Sequence, residues 1–322
     1  MDQQGSKSQK CEIISREIEN HFRSQIPDVV QIITNSCSNK KCFDHIDTAI
    51  IPSRDEVIEI LHLLRKIIYP GYFEKNILDR NNLDYHIGNA VTDIFEKLSR
   101  QITNSIVHEC QRYSKDCKEC FIKGQEETII FLKKIPEIRK ILAFDIIAAY
   151  NGDPAAQSYD EIIFSYPGLF AITIYRIAHE LYQQDITLLP RMMTEYAHSM
   201  VGIDIHPASK IGKGFFIDHG TGVVIGETCS IGDNVRLYQG VTLGALSFQK
   251  DEDGALVKGQ KRHPTIENDV IIYSGATILG GNTVIGEKSV IGGNVWITES
   301  VPVGTKVMIE KPNLIYKNCN NK

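Results

Sequence analysis

Several absences narrow the field before any motif is found. No apolar run approaches the roughly 20 residues a membrane helix requires, so the chain is not expected to associate with a membrane. The opening stretch from Met1 to Phe22 intersperses Lys7, Lys10, Glu12, Arg16 and Glu17 among its apolar residues. It therefore lacks the apolar core of a secretory signal, and a cytoplasmic address is expected. Basic residues are not in excess. A formal charge of -5 offers no patch for neutralising phosphates, so nucleic acid is not an expected partner. The eight cysteines form no framework. Cys117 and Cys120 make one CxxC, but no second CxxC or histidine pair lies at zinc spacing, so thiols and no metal are expected.

Glycine is scarce in the first part of the chain. Of the 24 glycines, only Gly5, Gly71, Gly88, Gly124, Gly152 and Gly168 precede residue 200. Beyond that point the backbone must turn tightly and often. The early part instead carries helical stripes. Ser53 and Glu56 form a capping-box signal ahead of Val57, Ile60, Leu61, Leu64 and Ile68, and Pro70-Gly71 ends the pattern. Ile87, Val91, Ile94, Phe95, Leu98, Ile102 and Ile106 trace a second stripe. A third begins at Thr128 and is predicted to restart at Pro136, running through Ile138, Ile141, Leu142 and Ile146. Residues 1–50 show no clear period and read as a loosely attached helical extension.

Past residue 200 a repeat of period six appears. Ile205, Ile211 and Ile217 set it, and the frame slips to Ile225 before Ile231, Leu237 and Leu243 resume. After an interruption come Ile266, Ile272 and Ile278, then Ile285, Ile291 and Ile297. Small or β-branched residues recur four positions later: Ser209, Thr221, Val235, Val241, Val270, Ala276, Ser289 and Val295. A period of six fits neither a lone strand nor an amphipathic helix. It fits short strands with one inward aliphatic each, three of them closing one triangular coil, which is a parallel β-helix. The expected fold class is therefore α+β with two domains. An all-α N-terminal domain spans 1–199, a hexapeptide-repeat β-helix spans 200–310 with a loop protruding at 245–261, and a tail covers 311–322.

A coil filled with Ile and Val can host chemistry only on its outside, so polar residues that break the repeat are the candidates. Asp218-His219 lies in a coil turn, with Asp204 just upstream. A histidine is the natural base near neutral pH, and a carboxylate on its far nitrogen fixes the tautomer. The long loop ends in Arg262-His263-Pro264, next to the resumed coil, and loops of that length are often functional. His206 precedes a proline and reads as structural, as do Arg176 and His179. Cys229 occupies a small inward repeat position and reads as an inert thiol.

At this point the sequence resembles the serine O-acetyltransferases of the hexapeptide-repeat acyltransferase superfamily. The resemblance rests on Asp153-Pro154-Ala155, Tyr175-Arg176-Ile177-Ala178-His179, Asp204-Ile205-His206-Pro207, Asp218-His219-Gly220-Thr221-Gly222, Val241-Thr242-Leu243-Gly244 and Arg262-His263-Pro264, in that order. It implies a left-handed coil, acetyl-CoA as co-substrate with no metal, and L-serine as acceptor. His219 would be the general base and Asp204 its partner. Asp153 and Asp218 would bind the serine amino group, and Arg262 and His263 its carboxylate. Gly244 and Ser274 would line the CoA groove. Transfer would be direct, without an acyl-enzyme. The family also implies competition by cysteine at the acceptor site and a homotrimer or a dimer of trimers. One departure is the charged loop 245–261, where better-known members carry a short glycine-rich turn. Another is the tail: many members end in an isoleucine that enters a sulfhydrylase, whereas Lys322 is cationic, so no stable complex with O-acetylserine sulfhydrylase is expected. Alternatives are an acyltransferase for homoserine or a sugar, a non-catalytic scaffold, and a metal-dependent lyase. The lyase would need three histidine ligands, and His206, His219 and His263 are not spaced for a shared ion.

Overall fold

The structure, a computed structural model, describes residues 15–37, 44–46, 51–75, 77–112, 119–248, 250–310 and 315. Cys117 and the terminal residues 316–322 lie outside the described residues, and with them the expectation about a tail-borne complex. Two compact units are present, Met1–Thr48 and Ala49–Lys322. In the first, residues 15–23 are helical and α1 spans Ile26–Ser36, with a proline in its first turn. Among the described residues, the second holds the remaining helices and every strand.

Helix α2 (Arg54–Ile68) starts where the sequence signals it: Ser53 accepts the Glu56 N–H, and Val57, Ile60, Leu61, Leu64, Ile67 and Ile68 are buried. Helix α3 (Leu83–Arg112) buries Ile94, Leu98 and Ile102 on one face. Helix α4 (Cys120–Gly152) runs through Pro136 without restarting, which corrects the expected break. An internal proline costs about 3 kcal/mol. Phe131, Ile135, Ile138 and Leu142 nonetheless keep one face in the core. At roughly 1.5–3 kcal/mol per buried side chain, that face outweighs the lost bond. Cys110 of α3 and Cys120 of α4 approach with sulfurs 3.5 Å apart. Helices α5 (Tyr159–Ser165), α6 (Pro167–Gln183) and α7 (Leu189–Val201) follow. No single described helix is long and apolar enough to cross a membrane. The apolar α6 is a core helix, buried from Gly168 through Ala178 except at Phe170.

Gly202, in the left-handed region at φ 69°, ends α7 and turns the chain into the coil. Strands of two or three residues then distribute over three parallel sheets. The first sheet stacks β1 (Asp204–Ile205), β4 (Val224–Ile225), β7 (Thr242–Gly244), β10 (Thr277–Leu279) and β13 (Trp296–Ile297). The second stacks β2 (Lys210–Ile211), β5 (Ser230–Ile231), β8 (Thr265–Ile266) and β11 (Val284–Ile285). The third stacks β3 (Phe216–Ile217), β6 (Arg236–Leu237), β9 (Ile271–Ile272), β12 (Val290–Ile291) and β14 (Lys306–Val307). Register pairs anchor with anchor: Ile205 with Ile225, Ile225 with Leu243, Leu243 with Ile278, Ile278 with Ile297. This is a left-handed parallel β-helix behind a helical region. The small-residue positions point inward as expected, with one exception. Thr221 is exposed and Val223 takes its place in the core, because the slip between Ile217 and Ile225 lengthens that turn.

The first rung of the coil would leave backbone groups unpaired, and α4 and α6 meet them. Tyr175 donates to Ser209 O at 2.6 Å, Arg176 to Ile211 O and Gly212 O at 2.6 Å each, and His179 Nδ1 to Pro207 O at 2.7 Å. Asp145 accepts the Phe215 N–H at 2.8 Å and is itself paired with Arg176. The structural roles expected of Arg176 and His179 are those seen.

Candidate active site

Three sheets make three corners, and the candidate residues fall on two of them. The first corner joins the third sheet to the first, and it carries Asp218-His219. His219 has φ 59° in a turn closed by Gly220 and Gly222, and its ring is largely exposed. Its Nε2 lies 3.7 Å from Asp218 Oδ1. The partner expected from sequence, Asp204, faces elsewhere: its carboxylate is 3.6 Å from Arg191 Nη1. Among the described residues, ion-pair geometry thus joins His219 to Asp218, not to Asp204. Asp204, Glu195 and His198 could group their ligand atoms around a cation, but Arg191 already reaches both carboxylates and supplies the positive charge there.

Asp153 reaches the same corner because α4 ends against the coil. A Cβ on Gly152 would lie 2.7 Å from Arg236 Nη2 and 2.8 Å from Phe216 Cδ1, so only glycine allows this approach. Arg236 Nη1 also donates to Gly152 O at 3.0 Å. The Asp153 carboxylate then accepts the Tyr166 hydroxyl at 2.6 Å and the Ala155 N–H at 2.8 Å. These bonds, followed by the charges of His219 and Arg236, hold Asp153 below the usual carboxylate range. Burial and Asp153 together push the Tyr166 phenol up. Higher on this corner, Tyr238 and Tyr273 continue the column begun by Asp218 and stack with centroids 5.0 Å apart.

The second corner joins the first sheet to the second, and here the loop leaves and returns. Lys250 pairs with Leu256 and Asp251 caps the tip through the Asp253 and Ala255 N–H groups, so the excursion is a small hairpin. A cavity of about 340 Å³ opens between the loop and the coil, lined in part by Phe248, Arg262, Gly280 and Asn282. Arg262 pairs with Glu227, whose carboxyl stays low because the arginine bond and charge outweigh its burial. His263 is buried, and burial, then the Arg262 charge, push its imidazole down to about 4. His206, two rungs below, is lowered by burial and then by Arg191, and its Nδ1 accepts the Ala208 N–H at 3.1 Å, as suits a structural residue. Cys229 is 2% exposed and burial drives its thiol up to about 12, an inert group.

Gly244 ends β7 at the second corner, and Ser274 sits on the first. The two CoA candidates therefore flank the outer face of the first sheet, where Thr242 and Thr277 pair. Sequence reasoning missed Tyr166, Glu227 and Thr228. Each acts by holding another side chain, and the only signal was a charged and a hydroxyl residue following Gly226 in a repeat turn.

A β-helix of hexapeptide repeats with an exposed histidine–aspartate turn fits an acyltransferase. No family model matches the chain. It is 51% identical over 258 residues to a plasmid serine acetyltransferase of Synechococcus elongatus, covering 79% of this chain and 81% of that protein. The crystal structure of Entamoeba histolytica serine acetyltransferase 1 with L-cysteine is 38% identical, with a TM-score of 0.67 over 81% of this chain and 88% of that one. Isoform 3 from the same organism, with cysteine, is 34% identical with a TM-score of 0.68 over 92% and 96%. The chain belongs to the serine acetyltransferase family.

Proposed function

We infer that the protein transfers the acetyl group of acetyl-CoA to the hydroxyl of L-serine, giving O-acetylserine and CoA, and that it serves cysteine biosynthesis in the cytoplasm. The observation that carries this reading is the pairing of an anionic corner, Asp153 with Asp218, and a cationic corner, Arg262 with a neutral His263. A zwitterionic acceptor needs both, and a sugar hydroxyl needs neither. His219 takes the proton from the serine hydroxyl as that oxygen attacks the thioester carbonyl. Collapse of the tetrahedral intermediate breaks the carbon–sulfur bond, and the proton passes to the departing CoA sulfur. Asp218 steadies the imidazolium through its nearby charge. Gly244 and Ser274 border the CoA groove along the first sheet.

The two corners stand at opposite edges of one sheet. We therefore place the complete site between neighbouring coils, the anionic corner of one meeting the cationic corner of the next, in a homotrimer or a dimer of trimers. The working division of labour is that residues 1–199 deliver Asp153 and residues 200–310 supply the rest. Cysteine, a zwitterion of serine's size, competes for the same groups.

The test is an acceptor screen that follows CoA release with serine, homoserine, threonine and simple sugars. Serine should dominate. His219→Ala should lower kcat roughly 10²- to 10⁴-fold with acetyl-CoA binding intact. Wild-type turnover in a folded variant would refute the base assignment.

A further inference from the structure

The turn Gly226-Glu227-Thr228 lies before the loop in sequence, yet it holds the two residues that close the loop. The Thr228 N–H donates to His263 Nδ1 at 3.1 Å. A backbone N–H can only donate, so Nδ1 is the unprotonated nitrogen and the neutral ring carries its hydrogen on Nε2. Thr228 Oγ1 accepts the Arg262 N–H at 2.9 Å and the His263 N–H at 3.1 Å, and lies 2.8 Å from His263 Nδ1. With both lone pairs taken, its hydrogen goes to that same nitrogen. One hydroxyl thus satisfies three partners, and the Thr228 carbonyl accepts Lys261 Nζ at 2.7 Å as well. The ring itself rests on Gly226. A Cβ there would sit 2.1 Å from His263 Cδ2 and 2.2 Å from Nε2, so glycine makes the space the imidazole fills.

Resting on the acceptor-site reading above, we propose that Thr228 and Gly226 are positioning residues that fix His263 as an Nε2–H donor aimed at the carboxylate of the acceptor. They touch neither substrate nor the reacting atoms. Thr228 sets which nitrogen donates and anchors the backbone of Arg262 and His263. Gly226 sets where the ring lies. The protein thereby uses an uncharged imidazole, with the adjacent guanidinium supplying the charge.

Steady-state kinetics on the full chain test this. Thr228→Val keeps the shape and the backbone N–H but loses the hydroxyl. It should raise the KM for serine about tenfold, the effect of losing one or two anchoring bonds, while the KM for acetyl-CoA stays within about twofold. Thr228→Ser should restore the serine KM, which a purely steric role would not require. Gly226→Ala, independently, should raise the serine KM by displacing the ring, and it carries the test should the valine variant not fold. Arg262→Ala is the control for the underlying reading. If it leaves the serine KM unchanged, the acceptor site itself is wrongly assigned. If it raises that KM while folded Thr228→Val and Gly226→Ala do not, the positioning proposal alone is overturned.

Discussion

His263 binds its proton far less readily in the folded protein than in a free chain, and this difference is a stability term. The ordinary imidazole value is 6.5, and burial beside Arg262 brings it to about 4. The unfolded chain therefore takes up a proton at a higher pH than the folded one. The contribution is fully present above the unfolded value and is lost as pH falls from there toward the folded one. Replacing His263 by Asn should make the protein less sensitive to acid between about pH 7 and pH 5. Urea melts at the two values would show it: the wild type should lose more stability than the variant, and equal losses would contradict the burial argument. Asp153 offers a second check through its neighbour. Tyr166→Phe removes the bond that most lowers the Asp153 carboxyl. The serine KM should rise several-fold with little change in thermal stability, since one hydrogen bond at a partly open site is worth about 1 kcal/mol. An unchanged KM would mean that the bond does not orient Asp153.

Helix α6 and the first coil rung depend on one buried ion pair. Arg176 is 7% and Asp145 0% exposed at their side chains, and their charges are shared with Ile211 O, Gly212 O and the Phe215 N–H. Burial pushes the Asp145 carboxyl up to about 6 even though Arg176 and the Phe215 N–H oppose it. Arg176→Ala leaves an unpaired buried carboxylate and two unpaired carbonyls, so it should cost about 3–5 kcal/mol. Removing both partners should cost less than the sum of the single changes, as a double-mutant cycle in denaturant would measure. The same elements show what the sequence makes legible. The anchors from Ile205 to Ile297 are readable because an inward position in a narrow coil admits little but an aliphatic side chain. The outward turn of Thr221 is not, although the slip itself is, since a longer turn changes which residue points inward without changing residue type. Pro136 misleads because a local rule is overruled by the apolar face of α4. Asp218, His219, Arg262 and His263 stand out as polar residues that break a repeat, whereas Asp153 precedes the repeat and is marked only by the family resemblance. Tyr166, Glu227 and Thr228 do not stand out, because turns commonly hold such residues and their work is done on a neighbour.

At the scale of the whole molecule, the separation of the anionic and cationic corners leads to a complementation test. A His219→Ala chain retains the cationic corner and an Arg262→Ala chain retains the anionic one. If sites form between coils, mixing the two inactive chains before assembly should rebuild intact sites at about a quarter of the interfaces, as random pairing in a closed ring gives. Activity near that fraction of wild type supports the shared site, and none would place the whole site within one coil. The helices that cover the first rung have a consequence for how such a coil is made. Each rung is a template for the next, since its free N–H and C=O groups fix where the following strands lie. In chain order the helices are synthesised before the coil, so a surface already bearing Arg176, Tyr175 and His179 awaits the first rung as it emerges. The coil is thus seeded from one end, with its register set there. A chain started at residue 203 would carry the same repeats with an open leading edge, free to accept a strand from any passing copy, and it should aggregate where the full chain folds.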